Sequence, residues 1–375
     1  MFKRIRPIII KEFRQIRRDK RSLGVLLVLP AFLIFLIGYA LNFDVKHISL
    51  AVYDQDRTQT SREFIQSFVN NEYFEYNYDV TDEGEIDKLL GEGKALIAIV
   101  IPPDFSKSIL ANRDATVQIL IDGSNANTAT TAIGYLNGII QNFSGKLTAK
   151  ALQRVGRELF PPVDFRPKVW YNPELVSAKF LVPGLIGFIL MISAVVSTSL
   201  SVVREKERGT IEQIMVSPLN TAEVIIGKTL PYLLVGLLAS ALVLVVGFLL
   251  FDISIKGSLL WLYAGIVLFL LAALGQGLLI STIAETQQVA FIMSVFSSLL
   301  PTFLLSGFVF PIRSMPIVLH ILSNVAPAKF FLIVVRSVIL KGVGPSAFWE
   351  QLIFLIMFAS ATIGISSLRL QKRIR

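Results

Sequence analysis

The chain has 375 residues, of which 53% are hydrophobic and only 17% are charged, and its formal net charge is +9. Soluble globular chains are usually about 45–50% apolar and about 25% charged, so this composition, with a mean hydropathy of +0.64, indicates a membrane protein. Cys is absent and His occurs only at His47 and His320, which excludes disulfides and thiol chemistry and argues against a histidine-based metal site.

The distribution of charge distinguishes a membrane protein from a nucleic-acid-binding protein. Residues 1–22 contain nine Lys or Arg, and the tail 369–375 contains four, whereas the polar block 43–176 has 13 basic and 18 acidic residues. Basic ends around an acidic middle follow the positive-inside rule for a membrane protein with both termini in the cytoplasm. A nucleic-acid binder would instead concentrate basic residues on its folded domain, so no nucleic-acid partner is expected.

The first elements are an amphipathic helix and a membrane span. Residues 1–22 carry an apolar stripe between basic residues, which is typical of a helix at the cytoplasmic membrane surface and in contact with its lipids. The stripe consists of Phe2, Ile5, Ile9, Phe13 and Ile16. Residues 23–42 supply about the 20 residues that a transmembrane helix requires, and they lack a small-residue cleavage site. We therefore expect a retained first span.

Residues 43–176 are predicted to form a separate extracytoplasmic domain. Short alternating apolar runs, such as 74–80 and 117–121, indicate strands, and the segments between them have helical composition. A Pro-free stretch from about 125 to 157 predicts a long helix at the end of the domain. The pattern as a whole indicates a small α/β domain inserted after the first span.

Residues 177–368 are predicted to form a membrane domain with five more spans. Together with the first span they define a polytopic α-helical membrane protein of six transmembrane helices, and the even count returns the basic tail 369–375 to the cytoplasm. Residues 311–345 are interrupted by Pro311, Pro316 and Pro327, so short outer helices or a re-entrant hairpin are expected there. The apolar runs lie at about 178–203, 224–251, 258–283, 287–310 and 346–368.

One polar stretch between the second and third spans has a pattern of its own. The residues Arg204-Glu205-Lys206-Glu207-Arg208 are followed by an apolar stripe at Ile211, Ile214, Met215 and Leu219. Residues three or four apart share one face of a helix, and a loop that only reverses the chain would not need such a face. Residues 204–219 are therefore predicted to present a helix to another protein.

Other features of the spans argue against chemistry within this chain. Residues 222–229, ending in Gly227-Lys228-Thr229, fit only the loosest phosphate-binding loop, and β-branched residues inside it oppose the required turns. Lys228 is better interpreted as the cytoplasmic end of the third span. The central parts of the spans carry essentially no ionisable residue, which argues against ion-coupled transport. Glu205 and Glu207, flanked by Arg204, Lys206 and Arg208, are expected to form an interfacial ion-pair network rather than an acid–base pair.

Small polar residues recur at every fourth position in the fifth span. They are Ser294, Ser298, Thr302 and Ser306. Such a stripe is typical of close helix–helix packing, and it would also suit a translocation surface at a dimer seam. Both interpretations stay open from the sequence alone.

The order of elements resembles the permease subunits of ABC-2 type exporters. The strongest match is Arg204–Ile214, in which Glu205, Glu207, Gly209 and Thr210 fit the family's Glu-x-Glu-x-Gly-Thr pattern, followed by Ser217-Pro218-Leu219. In the family this pattern belongs to the coupling helix that docks into the ATPase subunit. A second match, at 305–312, resembles the family's outer re-entrant segment. The large domain before the second span indicates a subgroup.

The resemblance implies a function that is compatible with the features read from the residues themselves. It implies an export permease in a bacterial inner membrane, not itself an enzyme, paired with a separate ABC ATPase that binds ATP and Mg²⁺. A second permease chain, identical or paralogous, is implied, and a periplasmic adaptor is a further expected partner. A hydrophobic, drug-like or lipid-like substrate is expected. The alternative is a membrane receptor whose 43–176 domain binds a ligand without transport.

Overall fold

A computed structural model of the chain describes residues 2–40, 47–111, 113–154, 170–172, 176–210 and 219–374. It divides into two compact units, one of Met1–Asn42 with Lys168–Arg375 and the other of Phe43–Pro167. The inserted domain was predicted over 43–176, and the second unit covers Phe43–Pro167. Each unit has a hydrophobic core of its own.

The elements are numbered along the chain. The helices are α1 Phe2–Arg18, α2 Lys20–Ala40, α3 Gln59–Val69, α4 Glu83–Gly91, α5 Phe105–Leu110, α6 Ala126–Arg154, α7 Ser177–Glu207, α8 Thr221–Phe251, α9 Leu259–Ile283, α10 Gln287–Leu300, α11 Ile317–Leu322, α12 Pro327–Arg336 and α13 Trp349–Ile374. The strands are β1 Ile48–Asp54, β2 Phe74–Asp79, β3 Ile97–Ile101 and β4 Gln118–Ile121.

The inserted unit contains a four-stranded mixed sheet in the order β2-β1-β3-β4. Strand β1 is parallel to β2 and β3, whereas β4 is antiparallel to β3. Side chains of a strand alternate between the two faces of a sheet. Accordingly Leu50 and Val52 join the core that includes α3 residues Phe64 and Phe68, while Ala51 joins the core on the α4 side. The small α/β fold predicted for this part of the chain is present.

The other unit is helical and largely apolar. Among the described residues, five helices are long and apolar enough to cross a membrane. They are Ser177–Glu207, Thr221–Phe251, Leu259–Ile283, Gln287–Leu305, which includes the π-helical turn after α10, and Trp349–Leu370. The predicted first span coincides with α2, whose described apolar stretch is the shorter Leu26–Tyr39. The chain is a multi-pass helical membrane protein, and the count of six spans stays a prediction.

The segment 311–345 consists of short helices broken by proline. Pro316 precedes α11 and Pro327 begins α12, where a missing N–H costs no helical hydrogen bond. Ile317–Val325 and Pro327–Lys341 meet at 84°, the geometry of a broken span or a re-entrant loop. Arg336 at the end of α12 donates a 3.0 Å hydrogen bond to the Gly307 carbonyl, and its guanidinium lies 3.9 Å from the Phe180 ring centre. This side chain therefore fastens the broken segment to α7.

Candidate functional site

The predicted docking stretch begins as the last turn of a span. Helix α7 runs without a break through Arg204, Glu205 and Glu207 and ends at the C-cap Arg208. Gly209 follows with φ of +66°, the left-handed conformation that favours glycine after a helix end. The prediction of one helix over 204–219 is therefore wrong at its start, because Gly209 terminates α7. Ile211, Ile214 and Met215 lie outside the described residues; Thr210 donates to the Glu205 carbonyl, and Leu219 precedes α8.

Around Glu205, three helices contribute to one cluster of charged side chains. Lys228 of α8 donates a 2.5 Å hydrogen bond to Glu205 Oε2 of α7 and a 3.2 Å hydrogen bond to Glu12 Oε1 of α1. Lys11 of α1 donates to Glu205 Oε1 and lies 3.4 Å from Glu12 Oε1. We call these four residues the charge cluster. It contains two positive and two negative groups, so the cluster as a whole is neutral.

Burial makes the partners in the charge cluster depend on one another. Glu12 is 0% exposed, Lys228 3% and Glu205 4%. Removing a single partner of a buried ion pair leaves an uncompensated charge and costs about 3–5 kcal/mol. The cluster therefore fixes α1 and the start of α8 to the last turn of α7.

Lys11 completes the cluster at its solvent-exposed side. Burial acts to lower the pKa of Lys11, but hydrogen bonding and charge attraction to Glu205 outweigh it and raise the pKa above its ordinary 10.5. A raised lysine pKa adds stability that is fully present at neutral pH and is lost only as the pH rises through that raised value. Lys11 is therefore charged throughout the neutral range.

The remaining charges at the end of α7 hold a fourth helix. Arg204 donates to the side-chain oxygen of Gln287 at 3.2 Å and lies 3.4 Å from Asp19. Glu207 accepts a 2.7 Å hydrogen bond from the Gln287 backbone N–H at the start of α10, and also contacts its side-chain amide. Lys206 donates to the Ala284 carbonyl at 2.7 Å. The charged turn of α7 thus contacts α1, α8, α10 and the end of α9.

These contacts identify long-range partners of the same charges. Glu205 and Glu207, flanked by Arg204, Lys206 and Arg208, were expected to form an interfacial ion-pair network, and their carboxylates also contact Lys11, Lys228 and Gln287. Neighbours in sequence along a helix do not face one another, whereas distant segments can. Lys228 likewise does more than mark the end of a span, because it is buried and paired.

Helix α1 packs one face against the rest of its unit. Its buried side chains are Ile5, Ile8, Glu12 and Ile16, spaced by three and four residues, whereas Phe13 is 37% exposed. The contact of the stripe through Ile9 and Phe13 with the membrane surface stays a prediction. Glu12 lies in the middle of the buried face. An acid at helical spacing between apolar residues was the sequence signal for this part of the site.

The segment that resembles a phosphate-binding loop is helical. Residues 222–229 form the first two turns of α8, and Thr229 donates to the Ile225 carbonyl within the helix at 2.7 Å. A phosphate-binding loop needs consecutive backbone N–H groups that wrap around the phosphates. The backbone of these residues is instead part of α8. The absence of a nucleotide site at Lys228 stays a prediction.

The small polar stripe of α10 and the turn after it faces the interior of the unit. Ser294 and Ser298 are 0% exposed, Thr302 1% and Ser306 2%. The Ser294 hydroxyl lies 2.6 Å from that of Ser199 on α7, and Ser298 donates to the Ser294 carbonyl. In this conformation the four residues serve packing within the chain and are not available to a second chain. A role on a translocation surface stays a prediction.

A small cavity lies among α2, α7, α8 and α9. Its volume of about 20 Å³ is enough for one water molecule, and its polar lining includes Ser193, Ser197 and Tyr232. Sites for drug-sized ligands usually measure about 300–1,000 Å³. This cavity therefore identifies no binding site for a hydrophobic substrate.

The fold and site together define a class of protein, a multi-pass helical membrane protein with an inserted α/β unit and a charged turn where four helices meet. Residues 20–368 match the model of the ABC-2 family transporter proteins. The chain belongs to this family, and it is a permease-type membrane chain. Its resemblance to ABC-2 permeases, drawn from Arg204–Leu219, is confirmed.

Relatives in Escherichia coli strain K12 are similar over nearly their whole lengths. The probable multidrug ABC transporter permease YbhS is 33% identical over 100% of this chain and 98% of its own length. The probable multidrug ABC transporter permease YbhR is 33% identical over 96% of each chain. The inner membrane transport permease YhhJ is 29% identical over 97% of this chain and 96% of its own.

Proposed function

We propose that this chain is the transmembrane subunit of an ATP-driven exporter whose ATPase is a separate subunit docked on residues 204–219. The observation that carries the proposal is the charge cluster, which ties the N-terminal helix and two spans to the turn from which the docking stretch continues. Force applied to that stretch would reach α1, α8 and α10 through buried contacts rather than through a flexible loop. The resemblance supplies the partner's identity as an ABC ATPase.

In this mechanism the chain's own residues transmit motion and bind no nucleotide. The apolar stripe of Ile211, Ile214, Met215 and Leu219 would enter a groove on the ATPase, as amphipathic helices do in partner proteins. When two ATPase subunits close on ATP, the end of α7 would move. Glu205 would carry Lys228 and Glu12 with it because separating them would leave buried charges unpaired.

The docking stretch is tested by one charge placed in its apolar stripe. We expect Ile214→Asp to abolish co-purification with the partner ABC ATPase, because a carboxylate would be buried in the groove without a partner. The matched control is Leu110→Asp, the same kind of change at a 70% exposed side chain of α5. Unchanged co-purification of Ile214→Asp with the ATPase would rule out this docking role.

We further propose that the transporter resides in a bacterial inner membrane with the inserted unit outside and both termini in the cytoplasm. The basic ends of the chain support this orientation. YhhJ is named an inner membrane permease, which supports the compartment. A second permease chain, identical or paralogous, would complete the pathway, with ATP and Mg²⁺ bound by the ATPase subunits alone.

The proposed substrate is a hydrophobic, drug-like or lipid-like molecule. The support is the apolar character of the spans and the names of YbhS and YbhR, which describe multidrug permeases. Transport by proteoliposomes containing the permease and ATPase, measured with a panel of hydrophobic dyes, tests this class. Export restricted to polar solutes would contradict it.

A further inference from the structure

We infer that β2 of the inserted unit is a docking edge, on which an extended segment of a partner protein, bearing lysine or arginine at alternate positions, adds as a further strand. Three observations on this unit support the inference: the position of β2 in the sheet, the groove beside it and the sign of its charge. The exported substrate and the ATPase docking stretch play no part in it.

The first observation is that β2 lies at the edge of the sheet, next to β1. Ile48 donates to the Tyr73 carbonyl at 2.8 Å and is paired in register with Phe74. In a parallel pair, alternate residues direct both main-chain groups to the same side, so those of Phe74 and Tyr76 point away from β1. An edge of this kind can form main-chain hydrogen bonds with an added strand.

The second observation is a groove of about 470 Å³ beside β2. Phe74, Glu75 and Tyr76 of the strand line it together with Val69 and Glu72 from the end of α3 and the loop after it. The Tyr76 side chain is 41% exposed. The groove therefore offers apolar and aromatic surface together with carboxylates, which suits a strand whose side chains alternate between apolar and basic.

The third observation is a single sign of charge along this part of the unit. From residue 64 to residue 80, which includes all of β2, there is no Lys or Arg, while Glu72, Glu75 and Asp79 are acidic. His47 Nδ1 lies 2.5 Å from Glu75 Oε1, which shows that a nitrogen base can reach this carboxylate beside the strand. Opposite charge across an interface favours encounter and register, so the segment that fits is basic.

Charge also argues against a second copy of this chain as the occupant. Two copies of β2 paired about a two-fold axis would present the same surface to each other. Glu75 and Asp79 of each copy would then meet the same acids of the other copy, and like charges opposite one another in a sheet are destabilising. Charges on an edge can also serve only to prevent aggregation, and the experiment separates that role from docking.

The experiment uses the full-length chain in nanodiscs and a fluorescent peptide in which lysine and valine alternate. We expect saturable binding by fluorescence polarisation, and no binding of the counterpart in which glutamate replaces lysine. The same lysine peptide, N-methylated at the amides along one edge, keeps its charge but cannot donate to β2. We expect it to bind about tenfold more weakly or worse, because strand addition depends on main-chain hydrogen bonds.

Paired protein variants locate the site. Glu72→Lys with Glu75→Lys should weaken binding of the lysine peptide by about tenfold, since like charge now faces it. Glu85→Lys with Asp87→Lys makes the same charge change at exposed positions of α4 and should leave binding unchanged. Equal binding of the methylated and unmethylated peptides to the unmodified protein would overturn the inference, because attraction between charges alone would then suffice.

A single cysteine tests the rival occupant. The chain has no Cys, so Asn77→Cys introduces a unique thiol within β2. We expect no disulfide-linked dimer under mild oxidation, and formation of one would assign the edge to a second copy and overturn the inference.

The partner lies outside the cell membrane only if the proposed orientation of this unit holds. Peptide binding does not depend on orientation or on the ATPase, so either proposal can fail without the other.

Discussion

At the scale of single residues, the buried lysine of α8 is the side chain on which the charge cluster depends most. Lys228 contacts both Glu205 and Glu12, and all three are at most 4% exposed. We expect Lys228→Met to reduce the stability of the purified protein by about 3–5 kcal/mol, because two carboxylates lose their shared counter-charge. Thermal unfolding in detergent measures the change.

A matched substitution and a compensated variant accompany this prediction. Lys3→Met removes the same charge from an exposed position of α1 and should change stability by less than about 0.5 kcal/mol. Adding Glu205→Gln to Lys228→Met should cost less than the sum of the single changes, since residues in one network are coupled. Additive losses would show that Glu205 and Lys228 act independently.

At the scale of whole elements, α9 packs closely against α7 at Gly277. A Cβ at this position would lie 2.6 Å from the Val195 carbonyl oxygen, which belongs to the backbone and cannot rotate away. We expect Gly277→Ala to destabilise the protein by about 1–3 kcal/mol through forced separation of the helices. Thermal unfolding in detergent again provides the measurement.

The control for the helix crossing lies in α6. A Cβ at Gly138 meets no atom within 4 Å, so Gly138→Ala should leave stability unchanged or raise it by up to about 1 kcal/mol through helix propensity. Opposite outcomes for the two glycines are expected because only Gly277 faces a neighbouring backbone. Tolerance of alanine at Gly277 would mean that α7 and α9 are not tightly packed there.

Local pattern was sufficient to predict the elements of the inserted unit. Strands β2 and β4 lie where apolar residues alternate, because one residue in two faces a core. Strand β3 lies in the apolar run 95–101, and all five of its residues are buried. The charge cluster could not be predicted in this way. Glu12 and Lys228 are 216 residues apart in sequence, and no local periodicity encodes which buried acid meets which buried base. Glu12 lies between apolar residues at helical spacing, which indicates a buried charge but does not identify its partner.

The point at which α7 stops within the docking stretch could not be predicted from local pattern either. The three- and four-residue spacing of Ile211, Ile214 and Met215 predicts an amphipathic face, but it does not decide where the preceding helix stops. Gly209 decides this, because its left-handed conformation follows the C-cap Arg208, where α7 ends. The charged half, Arg204–Arg208, therefore forms the end of α7.

At the scale of the whole molecule, the sidedness of the chain depends on whether α2 crosses the membrane. If α2 and the five long helices all cross, the inserted unit and the tail lie on opposite sides, and the basic ends of the chain predict that the tail is inside. We expect a single cysteine at Asp114→Cys to react with an impermeant maleimide in intact spheroplasts, whereas Lys372→Cys should react only after permeabilisation. Labelling of both from the same side would exclude six spans.

The central claim is that energy enters this permease through residues 204–219, and cross-linking tests it most directly. Because the chain has no Cys, Met215→Cys is a unique thiol in the predicted docking stretch, and Ser314→Cys is its control in the proposed outer segment. With the ATPase subunit present, a thiol–amine cross-linker should join Met215→Cys to the ATPase, with a yield that changes when ATP is added. An adduct formed equally at Ser314→Cys, or none at Met215→Cys, would contradict the account.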